Sequence, residues 1–311
     1  MRKIIVLLSV VISSAVSAQD IYFLNPQQSL VNLNPSFAGS NGFIRNQTNL
    51  RTGQFGQVDE QYYMSIGNSF DMFFKRINGG VAVNYLHDDV NSGLLKNDVF
   101  NITYAQYFYL KEKQIKIIPS VQLGGFVRHL NRSKITFEDM RSQFDRNAFV
   151  RSWDYEPVPR KSNLDFSTGL LVQYKKLFIG ASLFHFTQPD MGLWGVSKLP
   201  FRFNAHASYS IITKRDLLFN FSAMCAKQGY AEYAQIMAKV LLFKHAIVGL
   251  GCENRRGYMG NIGYRTNYYS INLTATYKKN GLGPPFSSEL GFSYTLRNKD
   301  QRKQLTCMEN W

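Results

Sequence analysis

The feature that most constrains this chain is a strict two-residue alternation of apolar and polar side chains. Between Tyr269 and Tyr277 every odd-numbered residue is apolar or aromatic, and every even-numbered residue is serine, asparagine or threonine. The stretch from Phe201 to Ile211 repeats the pattern. In a helix, residues on the same face recur about every three or four positions rather than every two. The alternation therefore predicts β-strands with one apolar and one polar face.

The same analysis predicts about 14 strands along the chain. Each is long enough to cross a bilayer when tilted, and an even number is typical of single-chain bacterial barrels. The first strand is the least regular, because Arg45 and Arg51 interrupt its apolar face. The predicted strands are residues 43–54, 60–70, 77–87, 96–109, 115–129, 162–174, 177–187, 200–212, 216–226, 230–242, 245–253, 257–265, 268–278 and 286–297.

The connections between these strands alternate in length. Short turns are predicted near residues 71–76, 111–114, 175–176, 213–215, 243–244 and 266–267, and longer loops at 87–95, 130–161, 188–199 and 279–285. Outer-membrane barrels have short periplasmic turns and longer outer loops. The sequence therefore predicts an all-β fold, a transmembrane antiparallel β-barrel over residues 42–297.

The segments outside this barrel have separate roles. Residues 1–18 have a basic start, an apolar stretch and small residues ending at Ala18, as in a signal peptide. Residues 19–41 form a lead that is rich in apolar side chains and contains two Asn-Pro turns, so we expect it to plug or brace the barrel. Residues 298–311 form a C-terminal tail, to which the sequence assigns no role.

Basic residues are concentrated in the predicted inner turns of a chain whose net charge is +15. Two roles are open for this periplasmic rim: anchoring to lipid phosphates, or docking of an acidic periplasmic partner. Nucleic acid is not an expected partner, because no DNA-binding motif accompanies the charge. The rim consists of Lys75, Arg76, Lys111, Lys113, Lys175, Lys176, Lys214 and Arg215.

No pattern of reactive residues predicts catalysis. The chain has five histidines but no G-x-S-x-G motif, and His206 shares a polar strand face with Ser208 and Ser210, as a lumen lining would. Its three cysteines are an odd number and contain no C-x-x-C pair. We therefore expect no enzymatic activity, no cofactor and no metal.

The lead resembles a known family. The segment Asn25-Pro26, followed by Leu33-Asn34-Pro35-Ser36-Phe37-Ala38-Gly39-Ser40, is similar to the mature N-terminus of PorP/SprF proteins, and residues 135–145 resemble their long outer insertion. The resemblance implies an outer-membrane barrel of the type IX secretion and gliding machinery in a Gram-negative bacterium. It also implies a partner, a secreted surface adhesin with a C-terminal sorting domain, and contacts with other secretion components at the periplasmic face.

Candidate contact residues follow from the aromatic and turn positions of the lead and the outer loops. Two other functions stay open at this point: a channel or transporter for small solutes, and an outer-membrane hydrolase. An open lumen with rings of charge would favour the channel. The candidate plug and partner contacts are Asn25, Pro26, Asn34, Pro35 and Phe37 in the lead, and Phe144, Trp153 and Trp194 in the loops.

Overall fold

The wall of the protein is a single antiparallel sheet that closes on itself. The computed structural model describes residues 20, 22–54, 62–110, 114–131, 134, 160–193, 195–213, 217–254, 257–278 and 285–296. Within them the strands are β1 (Ile44–Gln54), β2 (Tyr62–Phe74), β3 (Gly79–Val90), β4 (Leu95–Gln106), β5 (Phe108–Leu110), β6 (Ile115–Leu130), β7 (Arg160–Tyr174), β8 (Leu177–Phe184), β9 (Arg202–Ile212), β10 (Leu218–Gln228), β11 (Ala231–Leu242), β12 (Ala246–Glu253), β13 (Gly257–Arg265), β14 (Tyr269–Lys278) and β15 (Phe286–Leu296).

Closure comes from pairing of the first strand with the last. β1 pairs with β15, with Leu50 opposite Leu290, and each strand pairs with its neighbours in the sequence. β4 and β5 are two segments of one wall strand, because both pair with β6 and only Tyr107 separates them. The described strands thus form a closed 14-stranded antiparallel barrel, and the predicted fold is confirmed.

Strand boundaries agree with the prediction to within two residues except at β2, β3 and β8, and β3 extends to Val90, three residues beyond its predicted end. β2 extends to Phe74, so Asp71 lies on the strand rather than in the following turn. β8 ends at Phe184, three residues before the predicted end. His185 has a positive φ of 60° there, which turns the chain out of the strand direction.

The barrel has its polar face inside and its apolar face outside. On β14 the polar residues from Ser270 to Thr276 are buried, whereas Ile271 and Leu273 are each 43% exposed. An outward apolar face suits a wall surrounded by hydrocarbon. We call the barrel end with the long connections the outer end, and the end with the short turns, where β1 begins and β15 finishes, the inner end.

The irregular first strand also follows this inside-outside rule. Arg45 points into the lumen, where Nε lies 2.8 Å from Asp71 Oδ1 and Nη2 lies 3.0 Å from Asp71 Oδ2. Both side chains are almost fully buried. Arg45 and Arg51, which interrupt the predicted apolar face of the first strand, therefore belong to its lumen face. Arg45 pairs there with Asp71, and Arg51 with the Tyr63 hydroxyl.

We predict that Arg45→Ala destabilises the folded barrel by about 3–5 kcal/mol, because it leaves the buried Asp71 carboxylate without its cation. The measurement is urea unfolding in detergent or lipid, followed by the gel mobility of the heat-sensitive folded form. Arg76→Ala removes an exposed charge from the β2–β3 turn and is the matched control, which should unfold as the wild type does. Equal stability of the two variants would contradict the structural role given to this ion pair.

Candidate functional site: the lumen and its N-terminal lead

The N-terminal lead runs through the lumen from the outer end to the inner end. Asp20 contacts residues at the outer ends of β9 and β10, and Asn41 contacts Thr295 at the inner end of β15. Between them the chain forms three short helical turns, Pro26–Gln28, Leu30–Leu33 and Pro35–Phe37. Proline at the first position suits such turns because its fixed φ is helical and it has no N–H to satisfy.

Asp20 holds the lead at the outer end. Its carboxylate lies 3.0 Å from Arg202 Nη1 and contacts His185 Nε2, while its N–H donates to Gln228 Oε1 at 2.8 Å. His185 Nδ1 lies 3.0 Å from the second carboxylate, Asp165 Oδ2. We call Asp20, His185, Asp165 and Arg202 the outer latch.

The charges of the outer latch shift the pKa values of its members. Burial by itself would lower the pKa of His185, but the carboxylates of Asp20 and Asp165 raise it to about 9. Burial by itself would raise the pKa of Asp20, but His185 and Arg202 bring it below its ordinary value. Asp20 and His185 are therefore both held in their charged forms at neutral pH.

The middle of the lead is fixed by charged groups of the lumen wall. Lys239 Nζ on β11 donates to Asn25 Oδ1 at 2.6 Å and to Gln27 Oε1 at 2.7 Å. On β15, Glu289 accepts from the Leu24 N–H and from Asn49 Nδ2. A buried charge without a hydrogen-bonding partner is costly. These contacts therefore supply partners to the buried groups of the wall, and they also hold the lead in position.

Asn34 is the most extensively bonded residue of the lead. Its amide nitrogen donates to the carbonyls of Leu170 and Ala181 at 3.1 Å, and its Oδ1 accepts from the Ser36 N–H at 2.9 Å, which begins the last helical turn. A Cβ at Gly169 would lie 2.2 Å from that Oδ1. Glycine in β7 therefore lets the lead approach the wall closely.

The inner end of the lead turns sharply into β1. Tyr107 Oη donates to the Ala38 carbonyl at 2.7 Å, and the Gly39 N–H donates to Asp71 Oδ2 at 2.8 Å. Gly39 has a positive φ of 71°, and a Cβ at Gly80 would lie 2.0 Å from the Ala38 oxygen. Glycine is required at both positions, for a left-handed backbone and for close packing.

The connection between β8 and β9 folds over the outer opening. Met191, Leu193 and Leu199 are buried, and Met191 and Leu199 pack with Val99 and Phe126 of the wall. Asp190 anchors the loop by accepting from the Gly192 and Ser197 N–H groups and by pairing with Lys161. Beneath the loop lies a cavity of about 60 Å³, lined in part by Asp20, Asp88 and Arg128.

Of the sequence-predicted contact residues, the structure describes five, and all five lie in the lumen. Asn25, Asn34, Pro35 and Phe37 are buried, and Pro26 is partly buried. Phe144, Trp153 and Trp194 lie outside the described residues. In the predicted basic rim, Lys75, Arg76, Lys175 and Lys176 are exposed at the inner end, whereas Lys111, Lys113, Lys214 and Arg215 lie outside the described residues.

Sequence reasoning missed the outer latch. Asp20 is separated from His185 by 165 residues, and no local pattern connects them. One signal was present: Asp165 and Arg202 are charged residues on strand faces that should point to the lumen. Charges in such positions need partners, and the sequence could have prompted a search for them.

His206, which shares a polar strand face with Ser208 and Ser210, is a packing residue of the lumen. His206 Nε2 lies 3.1 Å from Asn34 Nδ2, and its ring lies 5.2 Å from the ring of Phe37. The described residues contain no group of three or more side chains that could hold a metal ion. In the same part of the chain, no helix is long and apolar enough to span a bilayer.

A closed barrel with an apolar outer face and its own lead in the lumen defines an outer-membrane β-barrel protein. Among solved structures, the CymD monoaromatic hydrocarbon channel aligns at a TM-score of 0.52 and 10% identity, over 90% of this chain and 95% of that chain. The Acinetobacter baumannii outer membrane protein Omp33 aligns at a TM-score of 0.49 and 7% identity, over 83% of this chain and 100% of that chain. The CymD likeness supports the fold alone.

The chain belongs to the PorP/SprF family of type IX secretion system membrane proteins, whose match covers residues 15–294. Membership implies an outer-membrane location and interaction with other components of the secretion system. No curated protein matches the chain. The family expected from the lead is thus confirmed over nearly the whole sequence.

We predict that the outer latch weakens as the pH rises through about 9. The pKa of His185 is above its ordinary value of 6.5. The latch therefore contributes its full stabilisation below that ordinary value, and loses it as His185 deprotonates. The measurement is hydrogen exchange at Tyr22–Leu24, corrected for the intrinsic effect of pH, between pH 7 and pH 10.

His185→Gln should remove this pH dependence, because glutamine keeps hydrogen bonds without a titrating charge. Asp190→Asn alters the partly exposed anchor of the same loop and is the control, which should retain the wild-type dependence. An identical pH profile in His185→Gln would exclude His185 as the titrating group.

Proposed function

We propose that this protein is a non-enzymatic barrel of the type IX secretion and gliding machinery that binds, secretes or anchors a surface adhesin with a C-terminal sorting domain. Family membership supports the secretion role. The adhesin is the partner that the resemblance of the lead implies. The proposal assigns no reaction to the lumen, where Lys239 and Glu289 bond to the lead and Arg45 pairs with Asp71.

The observation that carries this proposal is the filled lumen. The groups that would line a passage for solute are bonded instead to the chain's own backbone and side chains, as with Lys239, Glu289 and Ser182. A barrel filled in this way has its two ends and its outer wall available for partners. This favours a docking protein over a conduit for small solutes.

The two ends suit different partners. At the outer end, the 131–159 connection with Phe144 and Trp153, together with Trp194, is the proposed adhesin surface, because buried aromatic side chains dominate binding energy in protein interfaces. At the inner end, the basic rim is proposed to meet lipid phosphates and acidic surfaces of periplasmic secretion components.

The first test is purification of the tagged protein from its native outer membrane in mild detergent, with quantitative mass spectrometry. We expect a large secreted protein with a C-terminal sorting domain in near-equal amount. Shortening the 135–155 segment to a Gly-Ser turn should abolish that recovery, because it removes the aromatic anchors.

The matched control replaces the short β10–β11 turn at Gly229 and Tyr230, also at the outer end, and should leave recovery unchanged. Both variants must keep the heat-sensitive gel mobility of a folded barrel. A protein recovered alone from its native membrane would contradict the adhesin proposal.

The alternative is a small-solute channel, for which the polar inner wall is the favourable observation. Planar bilayers distinguish the two functions. We expect the wild type to be closed to ions, and a variant with residues 24–37 replaced by a Gly-Ser segment of equal length to conduct, because the lead no longer fills the lumen. Steady conduction by the wild type would instead favour the channel.

A further inference from the structure

The cavity beneath the β8–β9 connection has both charged and apolar walls. We call this cavity, with a volume of about 60 Å³, the outer cavity. One buried water needs roughly 10–15 Å³ of such space, so the outer cavity has room for about four to six waters, or for a molecule with as many non-hydrogen atoms. Its lining contains three carboxylates and three cationic side chains, which are Asp20, Asp88, Asp165, Arg128, His185 and Arg202.

Four of these six charged groups pair with one another in the outer latch. Asp20 contacts His185 and Arg202, and Asp165 contacts His185. The other two are Arg128 and Asp88. Within the part of the chain that the structure describes, neither has an oppositely charged side chain at ion-pairing distance. The outer cavity therefore presents one cation and one anion that lack a counter-charge.

Arg128 and Asp88 are positioned by neutral hydrogen-bond partners. Arg128 Nε donates to Asn97 Oδ1 at 2.7 Å, and its Nη1 donates to the Met191 carbonyl at 3.2 Å. Asp88 Oδ1 accepts from Ser65 Oγ at 2.9 Å, and the Asn97 side chain bonds to the same carboxylate. Asn97 thus bridges the two charged side chains and fixes both at the wall of one cavity.

Arg202 adds a donor without an acceptor. Its side chain is 9% exposed, and its Nε is buried with no hydrogen-bond partner among the residues that the structure describes. A buried N–H in this state is costly, and such groups in native proteins usually bond to a ligand, an ion or a water. Because Arg202 and Arg128 line the same cavity, an acceptor bound there can reach a guanidinium.

The apolar part of the lining is a packed cluster. Val99, Phe126 and Leu199 are buried together, and Leu86 packs against them. These side chains provide a surface for a small alkyl group and have no donor or acceptor for a further polar group. A mostly apolar wall with a few polar groups that fix orientation is typical of small-molecule sites.

We propose that the outer cavity binds a small α-amino acid in its zwitterionic form, of the size of glycine or alanine. Arg128 pairs with the ligand carboxylate, Asp88 pairs with the ligand ammonium, and the Leu86 side of the cavity contacts the alkyl group. A simple anion would face Asp88 and the latch carboxylates, and a simple cation would face Arg128 and Arg202. A zwitterion supplies both missing counter-charges and adds no net charge to a buried site, where net charge is costly.

Equilibrium dialysis of radiolabelled L-alanine against the purified, folded barrel in detergent tests this proposal. We expect saturable binding that unlabelled glycine displaces. Acetate and ethylamine, which each carry one of the two charges of alanine, should displace it poorly.

Variants of the two unpaired charges link the binding to this cavity. Arg128→Gln and Asp88→Asn should each weaken alanine binding about tenfold or more, because one end of the zwitterion then lacks its counter-charge. Arg128→Lys keeps the charge and should retain more binding than Arg128→Gln. Arg160→Gln removes an exposed arginine at the outer end of β7 and is the matched control, which should bind alanine as the wild type does.

All variants must keep the heat-sensitive gel mobility of a folded barrel. If the folded wild type binds no alanine at millimolar concentration, the cavity holds water alone and the proposal is wrong. Displacement by acetate as effective as that by glycine would indicate a site for simple anions and would also overturn it. Unchanged alanine binding in folded Arg128→Gln would place the ligand elsewhere, with the same consequence.

Discussion

The structure depends on the need of every buried polar group in the lumen for a hydrogen-bonding partner. A wall with period-two alternation must turn half of its side chains inward, and in this sequence many of those side chains are amides, hydroxyls and charges, beside apolar ones such as Ile118 and Leu171. Each of these polar groups left buried without a partner would cost about 1–3 kcal/mol. The lead meets that need with its backbone as well as its side chains, as Leu33 does by accepting from Ser182 and Asn204.

This dependence explains why the lead is held at both ends and in the middle. Its outer end is fixed by side chains of β7, β9 and the β8–β9 connection, and its inner end by Asp71, which also holds Arg45. Because the lead occupies the lumen, the surfaces that a partner can contact are the two ends of the barrel and its outer wall. Such surfaces are what the proposed docking function requires.

The strands could be predicted because their signal is local. In β14, alternation alone shows that the polar residues from Ser270 to Thr276 share one face. The charged residues of the short inner turns lie where a membrane interface tolerates charge. β1 shows the limit of this reasoning. Arg45 and Arg51 appeared to spoil an apolar face, yet they belong to the polar face, and the outward side is occupied by Asn46 and Thr48. Alternation could not assign that strand, because neither of its faces is apolar.

The sequence by itself determined the class of wall, the family and the compartment, since period-two alternation, loop lengths and the Asn-Pro lead are properties of short segments. Only the tertiary structure decided that β1 closes on β15, that Asp20 meets His185 and Arg202, and that Asn34 binds the β7 and β8 backbones. These contacts join residues more than a hundred positions apart. They arise from barrel closure, which brings strand faces together in space irrespective of their distance along the chain.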